Sequence, residues 1–327
     1  MKWPKWIGIG CLLFAPFLWG QSYMASPSGG GSNGDDLARK YAEEMAAVER
    51  GRMLYQRACE ACHGANGDGK GPAAEALNPR PRDFTTGKFK FRSTPAGELP
   101  TDQDLYNTIA NGVPRTFMPA WKGLMTEQNI WDLVAYIKTF SEGFRKRGPG
   151  QPIPMPEEVP PATEESIFEG EQVYKIMECW SCHGAKGNGK GPSAGDLQDD
   201  WGQKIKPFNF SVGRYKSGEG ALAIYKAVNT GLDGTPMPSY REDFLYPRDA
   251  FEDLSNLEEV YPQSEIDELR EYLNTIPTEA QLEAMSEKEQ EKLAEKRRWA
   301  LVHYVQSLSR KGSLLRTLFF DNTDETQ

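Results

Sequence analysis

Apolar positions along the chain follow two habits. One is a continuous run, Trp6 to Trp19, flanked on its N-terminal side by Lys2 and Lys5. The others are periodic. Leu37, Tyr41, Met45, Val48, Met53 and Leu54 recur at approximately helical spacing behind Asp35 and Asp36, which predicts a capped helix running toward Gln56. Two further stretches, 104–112 and 223–231, carry helical periodicity and each stops at a glycine able to end a helix. Ile266 to Ile276 and the charged run from Thr278 to Lys296 are also helix-like, and the last helix should begin inside that run, well before Trp299. Leu314 to Phe320 is apolar again and, left exposed, would be a sticky patch.

The periodic segments are two copies of one unit. His63-Gly-Ala-Asn-Gly-Asp-Gly-Lys-Gly-Pro72 matches His183-Gly-Ala-Lys-Gly-Asn-Gly-Lys-Gly-Pro192. Upstream, Gly51, Tyr55 and Cys59 match Gly170, Tyr174 and Cys179, with one residue inserted in the second copy. Downstream, Gly112 matches Gly231, Met118-Pro119 matches Met237-Pro238, and Trp131-Asp-Leu-Val-Ala-Tyr136 matches Trp299-Ala-Leu-Val-His-Tyr304. The seam, 148–164, is proline-rich and reads as a semi-rigid polyproline spacer. The copies differ at one place. About a dozen residues separate Met118 from Trp131, but some sixty separate Met237 from Trp299. The expected organisation is therefore an apolar signal or anchor at 1–25, a flexible Ser/Gly tether at 26–35, a first domain at 36–147, the linker at 148–164, a second domain at 165–313 with a helical insertion at about 241–297, and an apolar tail at 314–327. The insertion reads as solvated decoration or, in a subunit, as a docking surface.

Composition narrows the class. With 26% charged and 11% aromatic residues the chain is globular, and a net charge of -9 argues against nucleic acid as a partner. The fourteen apolar residues from Trp6 fit a signal peptide, and extension to Ala25 would just span a bilayer. Tyr23-Met24-Ala25 makes a poor cleavage site, which favours a retained anchor over a cleaved signal. Cys11, inside the run, reads as an ordinary thiol.

The chemistry sits in Cys59-Glu60-Ala61-Cys62-His63 and Cys179-Trp180-Ser181-Cys182-His183. Two cysteines two residues apart and followed at once by histidine read as a c-type haem attachment site. The thiols bond to the two vinyl groups on one porphyrin edge, and the next residue places an imidazole over the iron. A zinc site would need further ligands, yet the remaining cysteine is Cys11; a redox dithiol would not need the histidine. Haem attachment to thiols occurs outside the bacterial cytoplasm, in keeping with the N-terminal segment. Each iron needs a sixth ligand or an open position. Met118 lies 55 residues after His63 and Met237 lies 54 after His183, each past a helix-ending glycine and each before proline. A thioether is a soft, neutral ligand that raises the reduction potential. The expected iron ligands are thus His63, Met118, His183 and Met237, with Cys59, Cys62, Cys179 and Cys182 as thioether anchors. Met125 is a rival only in the first copy. The carbonyls of Pro72 and Pro192 are expected to orient the ligand histidines. Tyr55, Tyr174, Trp121 and Tyr240 suit either core packing or haem contact, and Arg80, Arg82 and Lys206 suit either propionate pairing or solvent. His303 aligns with Ala135 and receives no haem role.

This order of motifs resembles class I cytochrome c, and two such domains behind an apolar segment resemble the diheme subunits of bacterial respiratory complexes. The resemblance covers most of residues 36–140, 165–240 and 297–310. It implies a mostly α-helical fold, two covalent haem c groups, and single-electron transfer between redox protein partners on the periplasmic or extracytoplasmic face of the membrane, with no catalytic residue of its own. The alternative is a diheme peroxidase with one open haem site. The duplicated Met-Pro argues against that enzyme, and only His303 is spare to build an active site.

Overall fold

The computed structural model describes residues 33–309, apart from 214, 219 and 252. The N-terminal apolar segment with Cys11, most of the Ser/Gly tether and the apolar tail lie outside the described residues. Among the described residues no helix is long and apolar enough to cross a membrane. The chain divides into two units, Met1–Ala42 and Glu43–Gln327. In the first, the described side chains belong to the opening turns of a helix and are exposed.

The described residues are mostly helical, and two isolated bridges are the extended pairings among them. The first repeat contains α1 (Asn33–Ala58), α2 (Glu60–His63), α3 (Asp102–Asn111), α4 (Glu127–Lys138) and α5 (Glu142–Arg147). The second contains α6 (Glu164–Ile176), α7 (Cys179–His183), α8 (Ala221–Thr230), α9 (Ser255–Glu258), α10 (Gln263–Leu273), α11 (Glu279–Glu283) and α12 (Glu287–Ser307). Asp35 and Asp36 lie in the first turn of α1, which starts at Asn33, and favour the positive end of the helix dipole from there. Helix α12 begins at Glu287, inside the charged run as its pattern predicts, with Ser286 and Glu289 forming a capping box.

One helix crossing recurs. In the first repeat α1 meets α4 at Gly51, where an added Cβ would lie 2.0 Å from the Asp132 carbonyl oxygen. In the second, α6 meets α12 at Gly170, where a Cβ would lie 1.9 Å from the Ala300 carbonyl oxygen. Only a residue without a side chain lets these backbones touch. Beside each crossing the paired tyrosines stack edge-on, Tyr55 with Tyr136 and Tyr174 with Tyr304, both at 5.3 Å. One turn away Tyr106 packs on Trp131 and Tyr225 on Trp299. The repeat is therefore a repeat of packing as well as of letters.

The insertion after Met237 is not solvated decoration. Phe244, Ile266 and Leu269 are fully buried and belong to the same core as Val173, Tyr174 and Val302. The guanidinium of Arg297, itself buried, donates to the carbonyls of Phe244 and Tyr246 at 2.8 and 3.2 Å and lies 3.9 Å over the Tyr246 ring. Arg298 donates to the Arg241 carbonyl at 3.1 Å. The insertion is thus reeled in by the helix that follows it. The proline-rich linker is pinned as well: Gly150 N–H donates to Leu99 O, Ile153 N–H to Ser93 O, and His303 Nε2 to Pro160 O.

Candidate haem sites

The second motif makes up α7, while in the first Cys59 is the N-cap of α2 with right-handed helical backbone angles, so in both copies the two cysteines three residues apart share a face. All four thiols are free and half-buried. Burial pushes the Cys59 and Cys179 thiols up to about 12, so both are held neutral in apolar surroundings. The second copy carries one extra residue before its motif, and the backbone absorbs it at Glu178, whose φ is +52°. Tyr174 thereby keeps the place of Tyr55: each hydroxyl donates at 2.8 Å to the carbonyl of the glycine after the motif, Gly64 or Gly184.

The histidine geometry is duplicated. His63 Nδ1 lies 3.1 Å from the Arg82 carbonyl and His183 Nδ1 lies 3.0 Å from the Phe208 carbonyl. A carbonyl only accepts, so Nδ1 carries the proton and Nε2 keeps its lone pair. Burial lowers both imidazoles from their ordinary value, with the carbonyl bond opposing, so both are neutral bases. A phenylalanine stacks on each ring, Phe84 at 4.6 Å and Phe210 at 4.5 Å. The expected acceptors, Pro72 and Pro192, are not the ones used. The loop of 64–71 or 184–191 turns away through positive-φ glycines, and the chain returns later to put Arg82 or Phe208 against the ring. Gly69 and Gly189 permit that return, since a Cβ there would lie 2.7 or 2.9 Å from the carbonyl oxygen of Pro81 or Pro207. The sequence carries a signal for it, the matching segments Pro81-Arg82-Asp83-Phe84 and Pro207-Phe208-Asn209-Phe210.

Met118 and Met237 are half-buried on two loops built alike. Val113 N–H donates to Met118 O and Leu232 N–H to Met237 O, both at 3.1 Å. The hydroxyls of Thr116 and Thr235 donate to Val113 O and Leu232 O and accept from the methionine N–H groups. The helix-ending glycines, Gly112 (φ +64°) and Gly231 (φ +67°), are wedged against the residues after the methionines; a Cβ would lie 2.5 Å from Ala120 N or 2.7 Å from the Pro238 carbonyl carbon. Trp121 N–H then returns to Ile109 O and Tyr240 N–H to Val228 O, so the residue three past each methionine rejoins the core that also packs on Cys59 or Cys179. Burial raises the Tyr240 phenol, in keeping with its packing on the core that also meets Cys179. The Trp121 indole N–H is buried with no protein acceptor.

Of the other residues singled out, Tyr55 and Tyr174 are core residues tied to the haem-motif loop. His303 is buried and bonded at both nitrogens, Nε2–H to Pro160 O at 3.0 Å and Nδ1 to Ser166 Oγ at 2.8 Å, a strut between α12, α6 and the linker. Arg82 lies with its guanidinium 4.5 Å over Trp201. Lys90, not anticipated, is pushed down to about 8 by burial and by the neighbouring charges of Arg82 and Lys216. A crowded cluster of cations wants an anion. Neutral thiols three residues apart and a fixed imidazole with its lone pair free together fit a covalently attached haem, and Lys90, lowered by burial and by Arg82 and Lys216 despite Asp199, is a cation that a further carboxylate would stabilise.

A helical fold carrying this cradle twice defines a tandem c-type cytochrome, and the family matches fall on both repeats. Residues 46–137 match the family described as cytochrome c oxidase, cbb3-type, subunit III, and residues 167–309 match the cytochrome c family. The chain is 30% identical over 104 residues to the cbb3-type cytochrome c oxidase subunit CcoP of Azospirillum brasilense, a match spanning 32% of this chain and 32% of that protein. Among solved structures it is similar to a chain of the Kuenenia stuttgartiensis reducing HAO-like protein complex, with 35% identity, a TM-score of 0.63, and coverage of 80% of this chain and 96% of that one.

Proposed function

We propose that the protein is a two-haem electron-transfer subunit of a multiprotein redox complex, with one haem c per repeat, held at the extracytoplasmic face of a membrane by its N-terminal segment. The observation that carries this reading is the duplication of the whole ligand cradle, carbonyl-fixed histidine and hydrogen-bonded Met-Pro loop included. Cys59, Cys62, Cys179 and Cys182 form the thioethers. His63 and Met118 close the first iron, and His183 and Met237 the second. When bound, each haem supplies an iron that gains and loses a single electron. The protein's part would be to offer each iron one imidazole and one thioether. The Arg82 and Phe208 carbonyls hold the imidazoles basic and oriented, and the closed loops hold the thioethers, whose softness favours the ferrous state. Arg82, Lys90 and Lys216 are the cations available to the haem carboxylates. His303, bonded at both nitrogens, is in no position to serve as the acid or base of an open-site enzyme. Membership of a complex is supported by the neighbour from the reducing HAO-like complex and by the CcoP-type relative.

The test is intact-mass measurement together with coulometric reduction of the purified protein. The expected result is two haem additions and two electrons per chain. A single haem, or uptake of one electron, overturns the reading.

A further inference from the structure

Between the repeats lies one buried cation that the haem chemistry does not use directly. Arg92 follows the Arg82–Phe84 segment of the first repeat, and its side chain is 0% exposed. Its Nη2 donates to the Thr230 carbonyl at 2.9 Å and to Asp233 Oδ1 at 2.6 Å, and its Nη1 lies 3.5 Å from the Gly231 carbonyl. Thr230 and Gly231 are the last residue of α8 and its cap, where carbonyls lack helical partners and the dipole favours a cation. Asp233 lies within the loop that Leu232 and Met237 close. One guanidinium from the first repeat therefore fastens both the root and the middle of the loop carrying Met237. The Thr230 hydroxyl returns a contact to the Arg92 carbonyl at 3.4 Å, and Gly97 N–H of the same first-repeat segment reaches Asp233 at 3.5 Å.

The clamp acts in one direction. Counting from the stacked phenylalanines, Gly218 stands where Arg92 does, and counting from the helix-ending glycines, Pro114 stands where Asp233 does. The second repeat has neither the cation to offer nor, on the first repeat's loop, the anion to receive it. A fully buried arginine is retained only where it is paired. Packing alone would be served by an aliphatic side chain, whereas a charge-assisted fork fixes position.

We infer that Arg92 is a positioning residue for the second iron: docking of the first repeat, through Arg92 and Asp233, holds Met237 in its ligating position, while the Met118 loop meets the second repeat through Arg115 over the Phe208 ring at 5.5 Å and has no buried ion pair at the matching place. This rests on the reading of Met237 as the sixth ligand. The second site is then complete only in the assembled two-repeat protein.

The experiment uses the full, haem-loaded chain with Asp233→Asn, Arg92→Leu and Arg92→Lys, and Met118→Ala and Met237→Ala as references that mark each haem's signal. The readouts are haem count, the weak long-wavelength band of ferric iron bound by methionine sulfur, carbon monoxide binding to the ferrous protein, and potentiometric midpoints. Expected for Asp233→Asn and Arg92→Leu is retention of both haems, loss of the sulfur band and gain of carbon monoxide binding at the haem marked by Met237→Ala alone, with that midpoint shifted down; Arg92→Lys restores part of the band. Should Arg92→Leu not fold, Asp233→Asn keeps the backbone contacts and carries the test. Variants holding both haems with band, carbon monoxide inertness and both midpoints unchanged overturn the clamp, as does an equal shift at both haems. Wild-type protein in which Met237→Ala changes no signal overturns the ligand assignment itself, a result separable from failure of the clamp.

Discussion

The two repeats share a skeleton and differ in cover. In the first, Glu60 and Ala61 fill the middle of the CxxCH motif, and Ala61 is exposed. In the second the same places hold Trp180 and Ser181, and Trp180 is buried, its indole N–H donating to Lys175 O and its ring edge-on to Tyr261 of the insertion at 6.2 Å. Lys175, equally buried, lies 5.2 Å over Tyr261 with Glu171 and Glu265 within 3.6 and 3.5 Å. The roughly fifty added residues therefore form a roof over the second motif, while the first motif keeps an open face. The difference teaches that one ligand cradle tolerates two surroundings, because its geometry is set by backbone carbonyls and glycines that the roof does not touch.

The comparison breaks most severely at the motifs. Replacing Cys59 and Cys62 by alanine should remove one haem from the intact mass and leave the second repeat's spectrum in place; replacing Cys179 and Cys182 should remove the other. Loss of both haems from either variant would mean that the repeats do not mature separately. Next comes the roof. Trp180→Ala should cost the second repeat about 3–5 kcal/mol, as for other buried aromatic deletions, whereas Glu60→Ala at the matching place in the first should cost well under half as much. Urea midpoints followed at each haem decide this, and equal costs would deny the roof its role. The shared crossing should respond alike in both halves: Gly51→Ala and Gly170→Ala each force backbones apart and should cost about 3 kcal/mol or more.

The smallest effect is a pH dependence confined to the second repeat. Burial lowers His303, with the Pro160 carbonyl bond opposing, so its folded pKa lies below the unfolded value of about 6.5. The unfolded chain then binds the proton more readily. The stability His303 supplies is complete above about pH 6.5 and is lost as pH falls through that value toward the folded one. Comparison of urea midpoints for wild type and His303→Phe across this window should show a flatter profile in the variant; parallel profiles would clear His303 of the effect.

The motifs and the repeat were legible because each is local in sequence or recurs at fixed spacing. Gly51 and Gly170 stood out by position alone, and the structure supplies their reason in the backbone contacts. What escaped was longer-range. The carbonyl acceptors lie 19 and 25 residues beyond their histidines, across a loop whose path depends on several positive-φ glycines, so proximity in sequence pointed wrongly to Pro72 and Pro192. Arg92 has no counterpart in the second copy, so comparing repeats could not reveal it. The insertion read as solvated decoration or a docking surface because its helices are rich in charge, yet its apolar residues, Phe244, Leu257, Ile266, Leu269 and Leu273 among them, share one core with Val173 and Val302.

The most direct test of the account is the absorption spectrum of the reduced protein with and without carbon monoxide. Two irons each closed by histidine and methionine should leave the spectrum unchanged. A shift in about half of the haem signal would mean that one site is open, and would contradict both the paired Met118 and Met237 assignment and the electron-carrier reading built on it.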